Sequence, residues 1–353
     1  YTINYSSVSV GNGVFVAGVN NVTNVTVKNC VIGQNDSSIT GAHGVEFDGV
    51  ENSTIMNNSI SVASNTAYGV ILTNGGAGSL NTSVVNNSVY MATSSNAFLS
   101  QQFSHNSRFV NNSGVVVAGD VVYLTLVFNN SVEGNVLVGS AGNGVYLDFG
   151  ANHSVVGNNI SVIGTGVTGV SNGAVVANNS IFASGDGVSF NGNDETIAGN
   201  VVNSDAGSGV SVAGARLSVV NNTLSSNSSG GIVLNGVSSD NATLGNNYIV
   251  GVSGITLFGV SSNHVIENST IFTSTGRGID ILAPYNVNVS NVTVSTTTGV
   301  AAIGIALSTS GNVVRNATVL VNDSWALYDT GGSNNISNSS FQSESGIGMF
   351  LGG

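Results

Sequence analysis

Residues 55–72 read IMNNSISVASNTAYGVIL. Apolar and polar residues alternate as in a half-buried strand, yet two adjacent asparagines interrupt the alternation. The phrase returns as VVNNSV from Val84, VVNNTL from Val219 and LGNNYI from Leu244, the last two followed by a second apolar phrase that opens with glycine. Aligned on the asparagines, the chain yields fourteen units: VKNCVI, IMNNSI, VVNNSV, FVNNSG, VEGNVL, VVGNNI, VANNSI, IAGNVV, VVNNTL, LGNNYI, IENSTI, VSNVTV, VRNATV and ISNSSF. They start 21 to 29 residues apart, and between them stand phrases such as GVEFDG, GVILTN, GVYLDF, GVSFNG, GIVLNG and GIALST.

A period of two dozen residues with short strands, Gly/Asn corners and no helical spacing fits a β-solenoid coil. One coil is too small to bury its own apolar residues, so it must stack on its neighbours at about 4.8 Å. The spacing therefore predicts an all-β fold, a single-stranded parallel β-helix of about 14 coils forming one domain over residues 1–353. The third position of the phrase is Asn in eleven units and Gly134, Gly157 or Gly199 in three. Those two residue types visit the left-handed region most cheaply, which predicts a corner with positive φ. The fourth position contains Asn58, Asn87, Asn112, Asn135, Asn158, Asn179, Asn200, Asn222 and Asn247, with Cys30, Ser269, Val292, Ala317 and Ser339 in the remaining units. Alternation from the apolar sixth position points this column inward, predicting an internal asparagine ladder whose amides satisfy one another from coil to coil.

The phrase, corner and amide column resemble the parallel β-helix repeat of the pectate-lyase-like superfamily. The resemblance implies that fold, while function is left open among lyases, glycosidases, adhesins and structural coats.

Composition narrows the partners. Lys28, Arg108, Arg216, Arg277 and Arg315 stand against 17 acidic residues, a net charge of −12. Phosphate binding needs clustered cations, so nucleic acid is excluded, as is attraction to anionic membrane surfaces. No apolar run is long enough to insert into a bilayer. The N-terminal residues show no basic-then-apolar leader, so export would imply one already removed. Scarce lysine and 23 N-x-S/T triplets suggest an extracellular setting, at a cell surface or sheath.

Catalytic patterns are sparse. A lyase of the resembled superfamily uses a basic residue, yet Lys28 and Arg315 belong to the first and thirteenth phrases. Asp48 and Asp148 occupy equivalent places about four coils apart, or near 19 Å. Asp186 and Asp205 lie at different distances before their strands, and the consecutive Asp194 and Glu195 splay to opposite sides. All of these read as solvated turn acids. His43, His105, His153 and His264 fall in separate coils, and Cys30 reads as an inert buried thiol, so no metal or cofactor is expected. Tyr123 and Tyr146, on neighbouring coils, are the start of a sugar-stacking platform or simply a packing pair.

The outward second position is apolar along Met56, Val85, Val110, Val156 and Val220, a candidate lateral contact strip. The opening YTINYSSVSVGNGVFVAGV and the closing GIGMFLGG lack capping signals, so coil edges would pair with another copy. Corner residues Asn57, Asn86, Asn111, Asn178, Asn221, Asn268, Asn291, Asn316 and Asn338 are candidate glycan acceptors, although the repeat itself generates such triplets. These features favour a non-enzymatic, self-assembling extracellular subunit whose partner is another copy of itself, and the composition resembles that of sheath proteins of methanogenic archaea. The alternative is a polysaccharide-degrading or glycan-binding β-helix.

Overall fold

The computed structural model describes residues 2–5, 12–34, 37–38, 40–74, 78–236, 240–259, 261–297 and 302–352. None of these residues is helical, and no helix is long and apolar enough to cross a membrane. The chain is an all-β parallel β-solenoid of about 13 turns. Each of the fourteen phrases opens within a short strand, and counting turns between successive strands gives one fewer than the coils expected. Contacts divide the chain into two units, Tyr1–Ala183 and Ser184–Gly353, with seven phrase strands in each. Part of the N-terminal stretch singled out for an open edge, at residues 1 and 6–11, lies outside the described residues.

One coil of the first unit shows the plan. Ser154–Val156 is the phrase strand, Asn159–Val162 follows a sharp corner, and Val167–Gly169 is the glycine-led strand. Within each unit the phrase strands pair in parallel and without slip, as in Thr54↔Ser83, Ile55↔Val84 and Met56↔Val85, while longer strands elsewhere shift register, as between Met91 and Ser94. All fourteen corner residues have positive φ, from Asn268 at 50° to Gly134, Gly157 and Gly199 near 65°. The glycine of the third strand is needed for close approach: a Cβ on Gly144 would lie 2.4 Å from Ile160 Cγ2 and 2.5 Å from the Gly166 carbonyl. A single coil reverses this arrangement. There the phrase ends in Gly114 and the third strand is led by Val121, whose Cγ1 occupies the space that a Cβ on Gly114 would need. The two substitutions together preserve core volume, as close packing requires.

Inside the first unit the amide column is continuous. Asn58 Nδ2 donates to Asn87 Oδ1 at 2.9 Å, Asn87 to Asn112 at 3.0 Å, Asn112 to Asn135 at 3.0 Å, Asn135 to Asn158 at 2.9 Å and Asn158 to Asn179 at 2.9 Å. Each Oδ1 also accepts the backbone N–H of the preceding asparagine, as Asn87 Oδ1 does from Asn58 N at 3.0 Å. Each Nδ2 donates its second proton to a strand carbonyl, Asn112 to Val84 O at 2.9 Å. An interior amide such as Asn112 thus makes all four bonds available to it. In the second unit Asn200 donates to Asn222 and Asn222 to Asn247, after which Asn247 N donates to the hydroxyl of Ser269. Cys30 is buried with its thiol on the Lys28 carbonyl, and its amide N–H donates to Asn58 Oδ1.

A second polar column, not foreseen from the sequence, lines the interior at the other corner. In the first unit it runs Ser53, Thr82, Ser107, Asn130 and His153, all buried. Ser107 N donates to Asn130 Oδ1 at 2.8 Å, and Asn130 N faces His153 Nδ1 at 3.4 Å. Burial holds the His153 imidazole down at about 4, so it is neutral at physiological pH. In the second unit the column includes Glu195, His264 and Asn312. Glu195 corrects the expectation of a solvated turn acid. Asp194 takes the left-handed corner and an ion pair with Arg216 at 2.6 Å, so alternation drives Glu195 inward, where it is 1% exposed. Among the described residues neither of its carboxyl oxygens finds a hydrogen-bond partner in another side chain, and burial raises its pKa from 4.5 to about 7.

Two stability measurements follow. Asn112→Ala strands the Asn87 N and Nδ2 donors and takes a donor from Asn135 Oδ1 and the Val84 carbonyl, and costs about 2–4 kcal/mol in denaturant unfolding; an unchanged midpoint would show that the ladder is decorative. Glu195 keeps its proton to higher pH folded than unfolded, so stability is fullest below about pH 4.5 and falls as pH rises to about 7. The slope is at most about 1.4 kcal/mol per pH unit, and Glu195→Gln flattens the melting temperature across that window.

Candidate functional site

The glycine-led strands present every second residue outward, which builds two parallel outer columns in the first unit. One contains Glu46, Ile71, Leu99, Tyr123 and Tyr146, of which Ile71 and Leu99 are covered; the other contains Asp48, Thr73, Gln101, Thr125 and Asp148. Asp48 and Asp148 therefore share a column with three residues between them, about 19 Å apart, and do not form a catalytic pair. Gln101 Nε2 donates to Thr73 Oγ1 at 3.1 Å, linking the steps between.

Chemistry concentrates at the Asp148 end. The rings of Tyr123 and Tyr146 stack with centroids 5.1 Å apart and planes 10° from parallel. Tyr123 Oη donates to Asp148 Oδ2 at 2.7 Å, and Thr125 Oγ1 donates to the same oxygen at 3.2 Å. Burial first, and then the bond to Asp148, pushes the Tyr123 phenol up to about 12. The Tyr146 phenol is raised as well, by burial first and then by the charges of Asp148 and Asp120 and a hydrogen bond to Asp148. On the turn before these strands, Asp120 Oδ1 accepts from Asn143 N and Nδ2 at 2.8 and 2.9 Å, and burial raises its pKa.

Directly beyond Asp148 the chain bends, and Phe103, Leu126, Phe128, Phe149, Val170 and Asn172 line a cavity of about 400 Å³. His105 packs edge-on to Phe103 and Phe128 and accepts from Phe128 N through Nδ1 at 3.0 Å.

At the far end of the columns, Glu46 and Asp48 sit two residues apart on Val45–Glu51 and face the same side, about 6.6 Å apart at Cα. Burial raises both carboxyls; Asn12, which donates to Glu46, offsets part of the effect there, and the charge of Asp48 adds to it. Sequence reasoning weighed Asp48 without Glu46, although the phrase GVEFDG already places both on one outer face.

The other candidates are scattered. Asp186 accepts from Ser208 N at 2.7 Å, and Asp205 from Asn227 Nδ2 at 3.1 Å, so each serves its own turn. Among the described residues no cluster of His, Cys, Asp or Glu is arranged to hold a metal ion. Met56, Val85, Val110, Val156 and Val220 face outward from the phrase strands but are only half-exposed. The column is broken by Glu133, which pairs with Arg108 at 3.0 Å. The corner asparagines Asn57, Asn86, Asn111, Asn178, Asn221, Asn268, Asn291, Asn316 and Asn338 are all exposed. Some bond each other, Asn291 Nδ2 donating to Asn268 Oδ1 and Asn316 Nδ2 to Asn291 Oδ1.

The fold has known counterparts. The tailspike protein of Escherichia coli bacteriophage HK620 in complex with a pentasaccharide is 13% identical over 99% of this chain and 72% of its own, with a TM-score of 0.60. A mutant of that tailspike with a hexasaccharide gives 13% identity, the same coverage and a TM-score of 0.57. The A-module of the Azotobacter vinelandii mannuronan C-5 epimerase AlgE6 is 13% identical over 91% of both chains, with a TM-score of 0.43. No curated protein sequence matches. The resemblance to archaeal sheath proteins gains no support from these comparisons. The family model described as the right handed beta helix region matches residues 88–249 and 186–341, most of the chain. The chain belongs to the right-handed β-helix family.

Proposed function

We propose that this protein binds a neutral polysaccharide on the outer face of its first unit, outside the cell. The observation that carries the reading is the Tyr123–Tyr146 stack with Asp148 held beside it. Flat aromatic faces take the apolar face of a sugar ring, while a fixed carboxylate accepts from its hydroxyls. The oligosaccharides bound by the tailspike of the same fold support the choice of ligand class. Charge decides against acidic polymers. The net charge is −12, and the face carries Glu46, Asp48 and Asp148. A polyanion would be repelled where a neutral glycan is not.

Affinity electrophoresis through gels containing neutral or acidic polysaccharides tests this. Retardation is expected with a neutral polymer. Tyr146→Ala and Asp148→Asn each weaken it about tenfold, the order expected for losing one ring contact or one charge-assisted bond. Retardation by acidic polymers alone would overturn the reading.

Cleavage is a second reading, favoured by Glu46 and Asp48. The two carboxylates leave the same face of one strand, as a glycosidase pair must share one face, and the raised Glu46 carboxyl suits a proton donor. Release of reducing ends that disappears in Glu46→Gln while binding persists would establish it.

A further inference from the structure

Three bulky apolar residues around the cavity beside Asp148 have left-handed backbones: Phe103 at φ 67°, Leu126 at 57° and Phe149 at 52°. That conformation costs a side chain with a Cβ on the order of 1 kcal/mol or more per residue. The bend itself does not require such side chains. In the coil of Asp48 the equivalent position is Gly49, at φ 68°, and corners elsewhere in the chain use asparagine. The sequence thus accepts strain at the coils of Thr125 and Asp148, where it holds apolar side chains in water. Phe149 is 63% exposed, Phe103 58% and Leu126 52%. A solvated corner gains nothing from such groups, whereas a binding pocket does.

The cavity floor is backbone. A Cβ on Gly150 would lie 2.1 Å from the Val127 carbonyl, so this glycine allows the chain to close beneath the rings. The volume of about 400 Å³ falls in the range of small-molecule pockets, enough for one sugar residue. Apart from Asn172 and the backbone of Gly150, the residues that line it carry apolar side chains. Along the chain the cavity adjoins the proposed sugar platform, since Leu126 follows Thr125 and Phe149 follows Asp148 on the same strands.

Resting on the glycan-binding reading, we infer that the cavity seats an acetylated sugar residue of the bound polysaccharide, its acetyl methyl held among Phe103, Leu126, Phe128 and Phe149. The platform orients the ring next to Asp148, and the cavity reads the substituent. Unsubstituted hydroxyls would leave water in an apolar pocket and gain nothing from it.

The test uses glucomannan, xylan and galactan, each O-acetylated and after alkaline deacetylation, titrated into the intact protein by calorimetry. Phe149→Asn and Leu126→Asn are the variants of choice, because asparagine adopts the left-handed corner more readily than the native residues and so preserves the fold. The native protein is expected to bind an acetylated polymer about three- to tenfold more tightly than its deacetylated counterpart. Both variants lose that preference while their affinity for the deacetylated polymer and their melting temperature are maintained. Equal binding of both forms, or a preference that survives in the variants, overturns the inference and leaves the platform standing. Binding of neither form of any polymer overturns the platform and the inference together.

Discussion

Each coil buries an amide that it cannot satisfy alone. An unpaired polar group in a core costs about 1–3 kcal/mol, so Asn87 is stable only where Asn58 and Asn112 lie directly below and above it. This requirement fixes register. A strand shifted by one residue would turn the amides outward and the valines of the phrase with them. Cooperativity follows, because loss of one rung leaves its neighbours with unmet donors and acceptors. The surface columns that form the candidate site inherit their alignment from this interior constraint: Tyr123 stacks on Tyr146 because Asn112, Asn135 and Asn158 hold those coils in step.

Much of this was legible in the sequence. The corner could be read because positive φ admits few residue types, and the chain repeats its choice fourteen times. The fold class could be read because two dozen residues per unit, without helical spacing, leave few alternatives. The exchange of Gly114 with Val121 appears in the sequence only as a flawed phrase; its meaning depends on two residues meeting across the core. The second polar column was hidden for a different reason. Ser53, Thr82, Asn130, His153 and Glu195 share a place but not a chemistry, so no letter repeats. Solvated turns and buried columns look alike where the residue type varies, and Glu195 was misjudged on that account.

The candidate site shows the same division. Tyr123 and Tyr146 were found because strand phrases can be aligned, and Asp148 because its phrase matches that of Asp48. The cavity formed by Phe103, Leu126 and Phe149 lies in the irregular stretch between phrases, where alternation fails and a left-handed bend sends consecutive side chains outward together. No periodicity argument reaches such a place. Local strain marks it instead, and strain is visible only in coordinates.

The amide column has one further property. In the first unit every Oδ1 from Asn87 to Asn179 accepts from the preceding coil, so the carbonyl dipoles of these side chains point the same way and add. Their negative ends face the coil that contains Lys28, the one lysine in the chain. A stack of neutral groups thereby becomes an electret along this unit, with a cation stationed at its negative pole.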